Sequence, residues 1–309
     1  MTALSRFGTL FAFVAIVAIF AALSPQAFAQ TSNLINITQQ MSLLTIVALG
    51  AAFAMSLSEF DLSVGAVASM AGIVSATLFA AGWGVAPTIL VALAAGFAVG
   101  CACGLFVAVW RVPSFIMTLA MGTIVGGFTF WISDGATLFG KIPAAFRDLG
   151  RGYVGGVPVL TIWALAATLF AAFVFERTEL GRRMLAVGGN REAAMLAGVR
   201  VGPTTVLAFG LCALMAALAG LLLTARLGSA HPTGGNGFLL QAYAAVYLGM
   251  TAFRDGQPNA PGTLLGAAII TVVANGLTIL GVPNYLQDIF TGLIIIASVL
   301  IRNIGRQTQ

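Results

Sequence analysis

The chain has 309 residues, of which 60% are hydrophobic and only 7% are charged, and its mean hydropathy is +1.03. Soluble domains carry about a quarter charged residues, so this composition excludes a water-soluble protein and predicts a membrane protein. A net charge of +5 can indicate nucleic-acid binding. In a membrane protein, however, basic residues usually set the orientation, and we expect no nucleic-acid partner.

Apolar runs of nearly membrane-spanning length follow one another along the chain. A transmembrane helix needs about 20 predominantly apolar residues. We predict ten spans, at 7–23, 41–57, 62–81, 87–110, 113–133, 159–175, 204–225, 239–252, 262–280 and 285–301. The expected fold is therefore all-α, a polytopic helical bundle forming one transmembrane domain over residues 1–309.

The first run allows two interpretations. Ala27, Phe28 and Ala29 follow it and resemble a signal-peptidase site. A run of 17 residues is long for the apolar core of a signal peptide. We therefore favour a retained first helix over a cleaved one.

The basic residues predict the orientation of the bundle. Ten spans place both termini on one side of the membrane. If that side is cytoplasmic, ten of the 14 basic residues lie inside and only Lys141, Arg147, Arg151 and Arg226 lie outside. This agrees with the positive-inside rule, so both termini are expected in the cytoplasm.

Glycines recur at four-residue spacing in two neighbouring spans. Gly96, Gly100 and Gly104 lie in one, and Gly122 and Gly126 in the next. Small residues at this spacing let helix backbones approach closely in lipid. The pattern predicts a compact bundle.

The sequence offers little support for catalysis or cofactor binding. His231 is the single histidine, and it lies in a turn-rich loop, residues 228–237, that we expect at the external mouth. The segment GATLFGK (135–141) matches most of a phosphate-binding loop, but Ile142 stands where a Ser or Thr should follow. We therefore expect no cofactor, no metal and no ATPase activity in this chain.

Polar residues next to or inside the predicted spans are candidates for lining a passage. Asp61 and Ser63 precede the third span, where the Asp61 carboxylate can also cap the helix. Asn275 lies in the middle of a span. A buried asparagine in lipid needs partners, so it either bonds a neighbouring helix or lines a wet cavity.

The most polar stretch of the chain is residues 176–200. It carries eight of the 23 charged residues, so it cannot lie in hydrocarbon. Asn190 is predicted to cap a short helix that has Glu192 in its first turn. Gly188 and Gly189 permit a sharp turn before this helix, and Gly198 suits its exit. Its small apolar surface, which includes Ala193 and Ala194, favours docking to another protein over a solvated connector.

At these residues the chain resembles the permease subunits of bacterial ABC importers of the ribose, xylose and galactoside type. The matching segments are FDLSVGAVASMAG (60–72), VPSFIMTLAMGTIVGG (112–127), ELGRRMLAVGGNREAAMLAGVRV (179–201), and residues 225–301. The sequence departs from the usual pattern at Ser58, Glu59 and Phe60, where relatives often have two glycines and an aliphatic residue, and at His231, where glutamine is frequent.

The resemblance implies a function, partners and a site. Glu192, Ala193, Ala194 and Gly198 match the coupling helix that inserts into a cytoplasmic ATPase, within a coupling loop at 176–203. The expected partners are two ATPase modules, a second permease subunit and an external sugar-binding protein, in the bacterial cytoplasmic membrane. The expected role is ATP-driven uptake of a pentose, hexose or related polyol.

Three alternatives remain. A permease of the same architecture could carry a branched-chain amino acid or a furanose signal. An ion-coupled carrier would have discontinuous helices with buried charge. An intramembrane enzyme needs catalytic residues clustered within spans, which this sequence lacks.

Overall fold

A computed structural model describes residues 8–253, 256–283, 285–287, 289–294 and 296, most of them helical. The helices up to residue 279 are α1 (Gly8–Leu23), α2 (Pro25–Phe28), α3 (Thr31–Met55), α4 (Val64–Ala80), α5 (Val85–Val109), α6 (Ser114–Ser133), α7 (Ala144–Arg151), α8 (Val159–Arg177), α9 (Glu179–Gly189), α10 (Arg191–Leu196), α11 (Val201–Leu227), α12 (Phe238–Met250) and α13 (Ala260–Ile279). Four two-residue strands accompany them: β1 (Leu138–Phe139), β2 (Tyr153–Val154), β3 (Val157–Pro158) and β4 (Ser229–Ala230).

The all-α membrane bundle is confirmed. Six of these helices are long and apolar enough to cross a membrane, namely α3, α5, α6, α8, α11 and α13, and α1, α4 and α12 are shorter apolar helices. Each of the first nine predicted spans therefore overlaps an apolar helix. The tenth, 285–301, lies partly outside the described residues, so a total of ten stays a prediction. Arg6, Arg254, Arg302 and Arg306 also lie outside them.

The glycine stripe of α5 packs against α11, as its spacing predicts. A Cβ atom at Gly96 would lie 2.5 Å from the Ala217 Cβ, and one at Gly100 would lie 2.2 Å from the Phe209 carbonyl oxygen. Gly104 lies equally close to α11, where a Cβ would come within 2.7 Å of the Val206 Cα. Successive turns of α5 thus touch the backbone of α11 because they carry no side chain.

Other helices approach their neighbours in the same way. A Cβ at Gly220 of α11 would lie 2.0 Å from the Ala68 carbonyl oxygen of α4. On α6, a Cβ at Gly122 would lie 3.4 Å from the Ser63 Cα, whereas Gly126 has nothing within 4 Å of that position. The α6 pair therefore differs from the prediction, since only Gly122 is at a helix contact.

The two ends of the bundle are distinguished by their loops. We call the end that carries α9 and α10 the basic end. Ser56, just after α3, touches α9 there, and a Cβ at Gly188 would lie 2.1 Å from its carbonyl oxygen. At the opposite end, β1 pairs with β4 and β2 pairs with β3, both antiparallel. Arg151 of α7 closes this end by donating to the carbonyl oxygens of Arg226 and Leu227, both at 2.6 Å.

The loop at 228–237 was predicted to lie at the external mouth, and this is wrong for its second half. The Gly235 N–H donates to Ser69 Oγ at 2.9 Å, and a Cβ at Gly235 would lie 2.2 Å from the Gly65 carbonyl oxygen. Gly65 is the second residue of α4, about 22 Å along that helix from its outer end at Ala80. The chain therefore descends into the bundle after β4, and we call residues 231–237 the descending segment.

This descent explains why α12 is short. Its 13 residues are only about 20 Å long, too few to cross a bilayer alone. It packs antiparallel to α13, where a Cβ at Gly249 would lie 2.4 Å from the Gly262 carbonyl carbon and one at Gly266 would lie 1.9 Å from the Ala245 carbonyl oxygen. The descending segment and α12 together form one discontinuous span.

The first helix packs against α13. The Phe20 ring lies over Gly276, where a Cβ would be 2.4 Å from the ring. Phe20 also stacks on Phe28 of α2 with ring centroids 5.8 Å apart. In this arrangement α1 is part of the bundle.

The contact of Gly100 with α11 predicts a paired stability result. Replacing Gly100 with alanine places a Cβ against backbone that cannot move aside, and we expect a loss of roughly 1–3 kcal/mol, seen as a lower thermal midpoint of the purified protein. Gly126→Ala is the matched control, because its Cβ meets open space and alanine favours helix. Equal midpoints for the two variants would contradict the packing of α5 on α11.

Candidate functional site

The polar stretch 176–200 folds as two short helices joined by a sharp turn. Thr178 caps α9, where its side-chain oxygen accepts from the Gly181 N–H at 3.2 Å. The apolar face of α9 buries Met184 and Val187, together with Gly181, against the bundle. This amphipathic pattern holds α9 flat against the basic end.

The predicted cap and exit of the following helix, α10, are present. Asn190 Oδ1 accepts from the Ala193 N–H at 2.9 Å, and Glu192 lies in the first turn, where the helix dipole favours a negative charge. Gly198 has a φ of +84°, the left-handed conformation that ends many helices. Its N–H donates to the Met195 carbonyl oxygen at 3.0 Å.

The outer face of α10 is apolar and exposed. Ala194 points into the bundle and is 5% exposed, whereas Met195 and Leu196 are 56% and 87% exposed. Glu192 and Ala193 lie on the exposed side as well. A rigid, capped helix that presents a leucine and a methionine to solvent has the form of an element that docks in a groove.

The turn between α9 and α10 contacts the segment that joins α3 to α4. We call residues 56–63 the α3–α4 linker. Ser58 Oγ donates to the Gly188 carbonyl oxygen at 2.9 Å, and Arg191 pairs with Glu59 at 3.7 Å. Gly188 also lies against the linker backbone, as described above, so contact at this turn is tight.

The other half of the linker is held inside the bundle by hydroxyl groups. Tyr243 of α12 accepts from the Asp61 N–H at 2.6 Å and donates to its carbonyl oxygen at 3.0 Å. The Leu62 N–H donates to Thr118 Oγ1 at 2.9 Å, and the Phe60 N–H donates to Ser114 Oγ at 3.2 Å. Hydroxyls of α6 and α12 thus satisfy backbone groups that a helix would otherwise satisfy itself.

Asp61 and Ser63 are brought together and fully buried. Asp61 Oδ1 accepts from the Ser63 N–H at 2.9 Å and from Ser63 Oγ at 2.6 Å. The carboxylate therefore lies just before the first turn of α4, as predicted, and it stabilises the start of that helix. Its Oδ2 atom has no hydrogen-bond partner among the described residues. The role of both residues in a passage stays a prediction.

Asn275 occupies a different part of the bundle. Its amide exchanges two hydrogen bonds with that of Asn33 on α3, at 3.1 and 2.9 Å. Of the two sequence-based alternatives, the bond to a neighbouring helix is the one found. That Asn275 lines a passage stays a prediction.

A cleft of about 660 Å³ opens beside α10 at the basic end. Glu59, Arg111, Arg191 and Glu192 provide its charges, and the ends of α5 and α11 form its walls. Arg111 has a φ of +53°, unusual for a residue with a side chain, and it terminates α5 abruptly. The cleft separates α10 from the α5–α6 loop, so α10 projects from the bundle with free space on one side.

Sequence reasoning missed the linker partners. Ser58 and Glu59 have ordinary polar side chains at a predicted interface, and Tyr243 lies in an apolar run, so no local pattern separates them from surface or packing residues. The α3 amides are different. Asn33, Asn36 and Gln40 follow helical spacing just before the predicted span 41–57, and this signal could have been used.

This geometry is that of a polytopic helical membrane bundle, and comparison with a solved structure agrees. An inward-facing conformation of a metal-chelate type ABC transporter superposes with a TM-score of 0.55, covering 96% of this chain and 99% of that one. At 16% sequence identity, the likeness shows the fold alone.

The chain belongs to the family described as branched-chain amino acid transport system / permease component, whose model matches residues 33–299. It is 38% identical to the ribose import permease protein RbsC of Escherichia coli K12 over 299 residues, covering 96% of this chain and 92% of that protein. It is 37% identical to the D-allose transport system permease protein AlsC of the same organism, covering 95% and 90%. The chain is therefore a multi-pass membrane permease and not the ATPase of such a system.

The turn before α10 predicts a paired result at adjacent glycines. Gly188→Ala places a Cβ against the Ser56 carbonyl oxygen and should separate α9 from the linker, so amide hydrogen exchange over 56–63 should become faster. Gly189→Ala is the control, because nothing lies within 4 Å of its Cβ position. Unchanged exchange over 56–63 in the Gly188 variant would show that the turn does not hold the linker.

Proposed function

We propose that this chain is the permease of an ATP-driven importer that carries a monosaccharide, a pentose, hexose or related polyol, into the cytoplasm. The observation that carries the proposal is the full-length similarity to permeases named for ribose and D-allose, at 38% and 37% identity. The family description names branched-chain amino acids, so a permease of the same architecture for such an amino acid or a furanose signal is the second candidate.

The membrane is the cytoplasmic membrane of a bacterium, with the basic end inside. The distribution of charge supports this orientation. Six described arginines lie at the basic end (Arg111, Arg177, Arg182, Arg183, Arg191 and Arg200), and four described basic residues lie toward the opposite end. The partners are a cytoplasmic ATPase, an external sugar-binding protein and a second permease subunit, either identical or paralogous.

The coupling loop 176–203 receives the ATPase, and α10 is the docking element. Three features support this role: the Asn190 cap holds the helix rigid, Gly198 ends it sharply, and Leu196 is 87% exposed. A coupling element must also reach the membrane part of the protein. Gly188 and Arg191 do so through Ser58 and Glu59 of the linker.

The linker transmits a movement of α10 to the discontinuous span that contains α12. One part of the linker touches the α9–α10 turn, and the part around Asp61 is hydrogen bonded to Tyr243 of α12. Uphill import requires two states of the bundle that the binding protein and ATP stabilise differently. A displacement of α10 on ATP binding shifts the linker and with it α12, which lies beside the passage that we assign to Asp61, Ser63 and Asn275.

The proposal predicts ATP-dependent sugar uptake without an ion gradient. Vesicles that contain the permease, its ATPase and the binding protein should accumulate D-ribose or D-allose when ATP is supplied and all ion gradients are collapsed. An ion-coupled carrier would lose uptake under these conditions. Accumulation of a branched-chain amino acid in place of either sugar would select the second candidate.

Docking through α10 predicts a charge-sensitive interface. Leu196→Asp places a carboxylate on the exposed apolar face of α10, so we expect at least a tenfold loss of both ATPase copurification and uptake. Phe139→Asp is the control, because Phe139 is 78% exposed on β1 at the opposite end, and ATPase copurification should not change. If the Leu196 variant retained its ATPase at the wild-type level, α10 would not be the docking element.

A further inference from the structure

A second cavity lies inside the half of the bundle away from the basic end. It has a volume of about 280 Å³, close to the lower limit of small-molecule pockets, roughly 300–1,000 Å³. We call it the amide cavity. Its polar lining consists of Gln40, Arg226, Gln241, Thr271, Thr278 and Gln287. Leucines of α3 and Phe238 form apolar walls.

A stripe of amides on α3 leads to this cavity. Asn33, Asn36 and Gln40 are spaced by three and four residues and therefore share one face of the helix. The first two are engaged within the protein, since Asn33 pairs with Asn275 and Asn36 Oδ1 accepts from Arg226 Nη2 at 2.9 Å. Gln40 lies nine residues into α3, about 14 Å from its first residue.

Two amide side chains that line the cavity are available to bind a ligand. Gln40 and Gln241 are half-buried, and within the part of the chain that the structure describes neither has a hydrogen-bond partner. A polar side chain that is withdrawn from solvent is costly unless protein, water or a solute satisfies it. The α3 and α12 walls therefore each offer one amide, with a donor and an acceptor, to the cavity.

The position of the cavity in the fold also favours a ligand site. Phe238 and Gln241 belong to the first turn of α12, where the descending segment becomes helical inside the bundle. Discontinuous helices place substrate sites within transporters, because their ends bring polar groups to membrane depth. The amide cavity lies at such an end, and Gln40 of α3 and Gln241 of α12 both line the cavity.

The lining favours a neutral ligand. No carboxylate lines the cavity among its described residues, and the one charge, Arg226, already donates to an uncharged amide. Amides and threonine hydroxyls match the paired donors and acceptors of vicinal hydroxyl groups, and Phe238 offers an apolar surface to the C–H face of a ring. We propose that the amide cavity binds a monosaccharide as an intermediate site on the transport route, a proposal that rests on the sugar-import function above.

The test is the KM of uptake in the complete assembly. Gln40→Leu and Gln241→Leu each remove the hydrogen bonds of one amide, so each should raise the KM for D-ribose or D-allose about five- to tenfold with little change in the maximal rate. Gln39→Leu is the matched control on the neighbouring face of α3, where Gln39 contacts Tyr153 Oη at 3.5 Å. It should keep the wild-type KM.

The outcomes separate this proposal from the function on which it depends. If the wild-type assembly takes up neither sugar with ATP, the import function fails. If the wild type does so and both glutamine variants keep its KM, the import function stands and the cavity proposal is overturned. The same holds if the variants lose a copurifying phospholipid while their KM is unchanged, because a lipid headgroup then occupies the cavity.

Protection from labelling tests occupancy even if the leucine variants do not assemble. Cys103 and Cys212 are buried, so Cys101→Ser removes the partly exposed thiol of the chain. In this background D-ribose should slow maleimide labelling of Gln241→Cys and leave that of Gln39→Cys unchanged. Labelling of both cysteines at rates independent of either sugar would overturn the proposal.

Discussion

The bundle depends on how closely its helix backbones approach one another. Lipid supplies no hydrophobic force between helices, so close packing must supply the attraction. On α5 three of the residues that face α11 are glycines, and on α11 Gly220 faces α4 in the same way. The long α11 is thereby fixed against two neighbours at once, and it serves as the frame on which the less regular segments are placed.

Those irregular segments require a second kind of stabilisation. Backbone groups outside a helix cannot remain unpaired at membrane depth, and non-helical backbone is tolerated there only when it is buried in protein or lines a cavity. The α3–α4 linker meets this condition through the hydroxyls of Ser114, Thr118 and Tyr243, and the descending segment meets it through Ser69. These four side chains explain how a bundle of apolar helices contains two breaks.

The membrane-spanning helices and the short helix α10 could be predicted because their signals are local. Length and hydropathy define a span, and Asn190 and Gly198 define the ends of a short helix by their own conformational preferences. The descent at 228–237 could not be predicted, because a glycine-rich turn sequence is compatible both with a loop outside the bundle and with a segment inside it. The contact of Glu59 with Arg191 joins distant parts of the chain and has no local signal either. The same is true of Gln40 and Gln241, which line the amide cavity from different helices.

Together the two breaks connect the basic end of the molecule to the interior of the bundle. The linker is held at one end by the α9–α10 turn and at the other by Tyr243, which belongs to the half-helix that follows the second break. A continuous helix in place of the linker would leave the Asp61 N–H and carbonyl oxygen unable to bond Tyr243, because its backbone hydrogen bonds would be internal. The Arg191–Glu59 pair is partly exposed and adds little stability by itself. A weak ion pair beside a tight backbone contact can open without unfolding either helix. This junction is therefore suited to the alternation between two states that we propose for import.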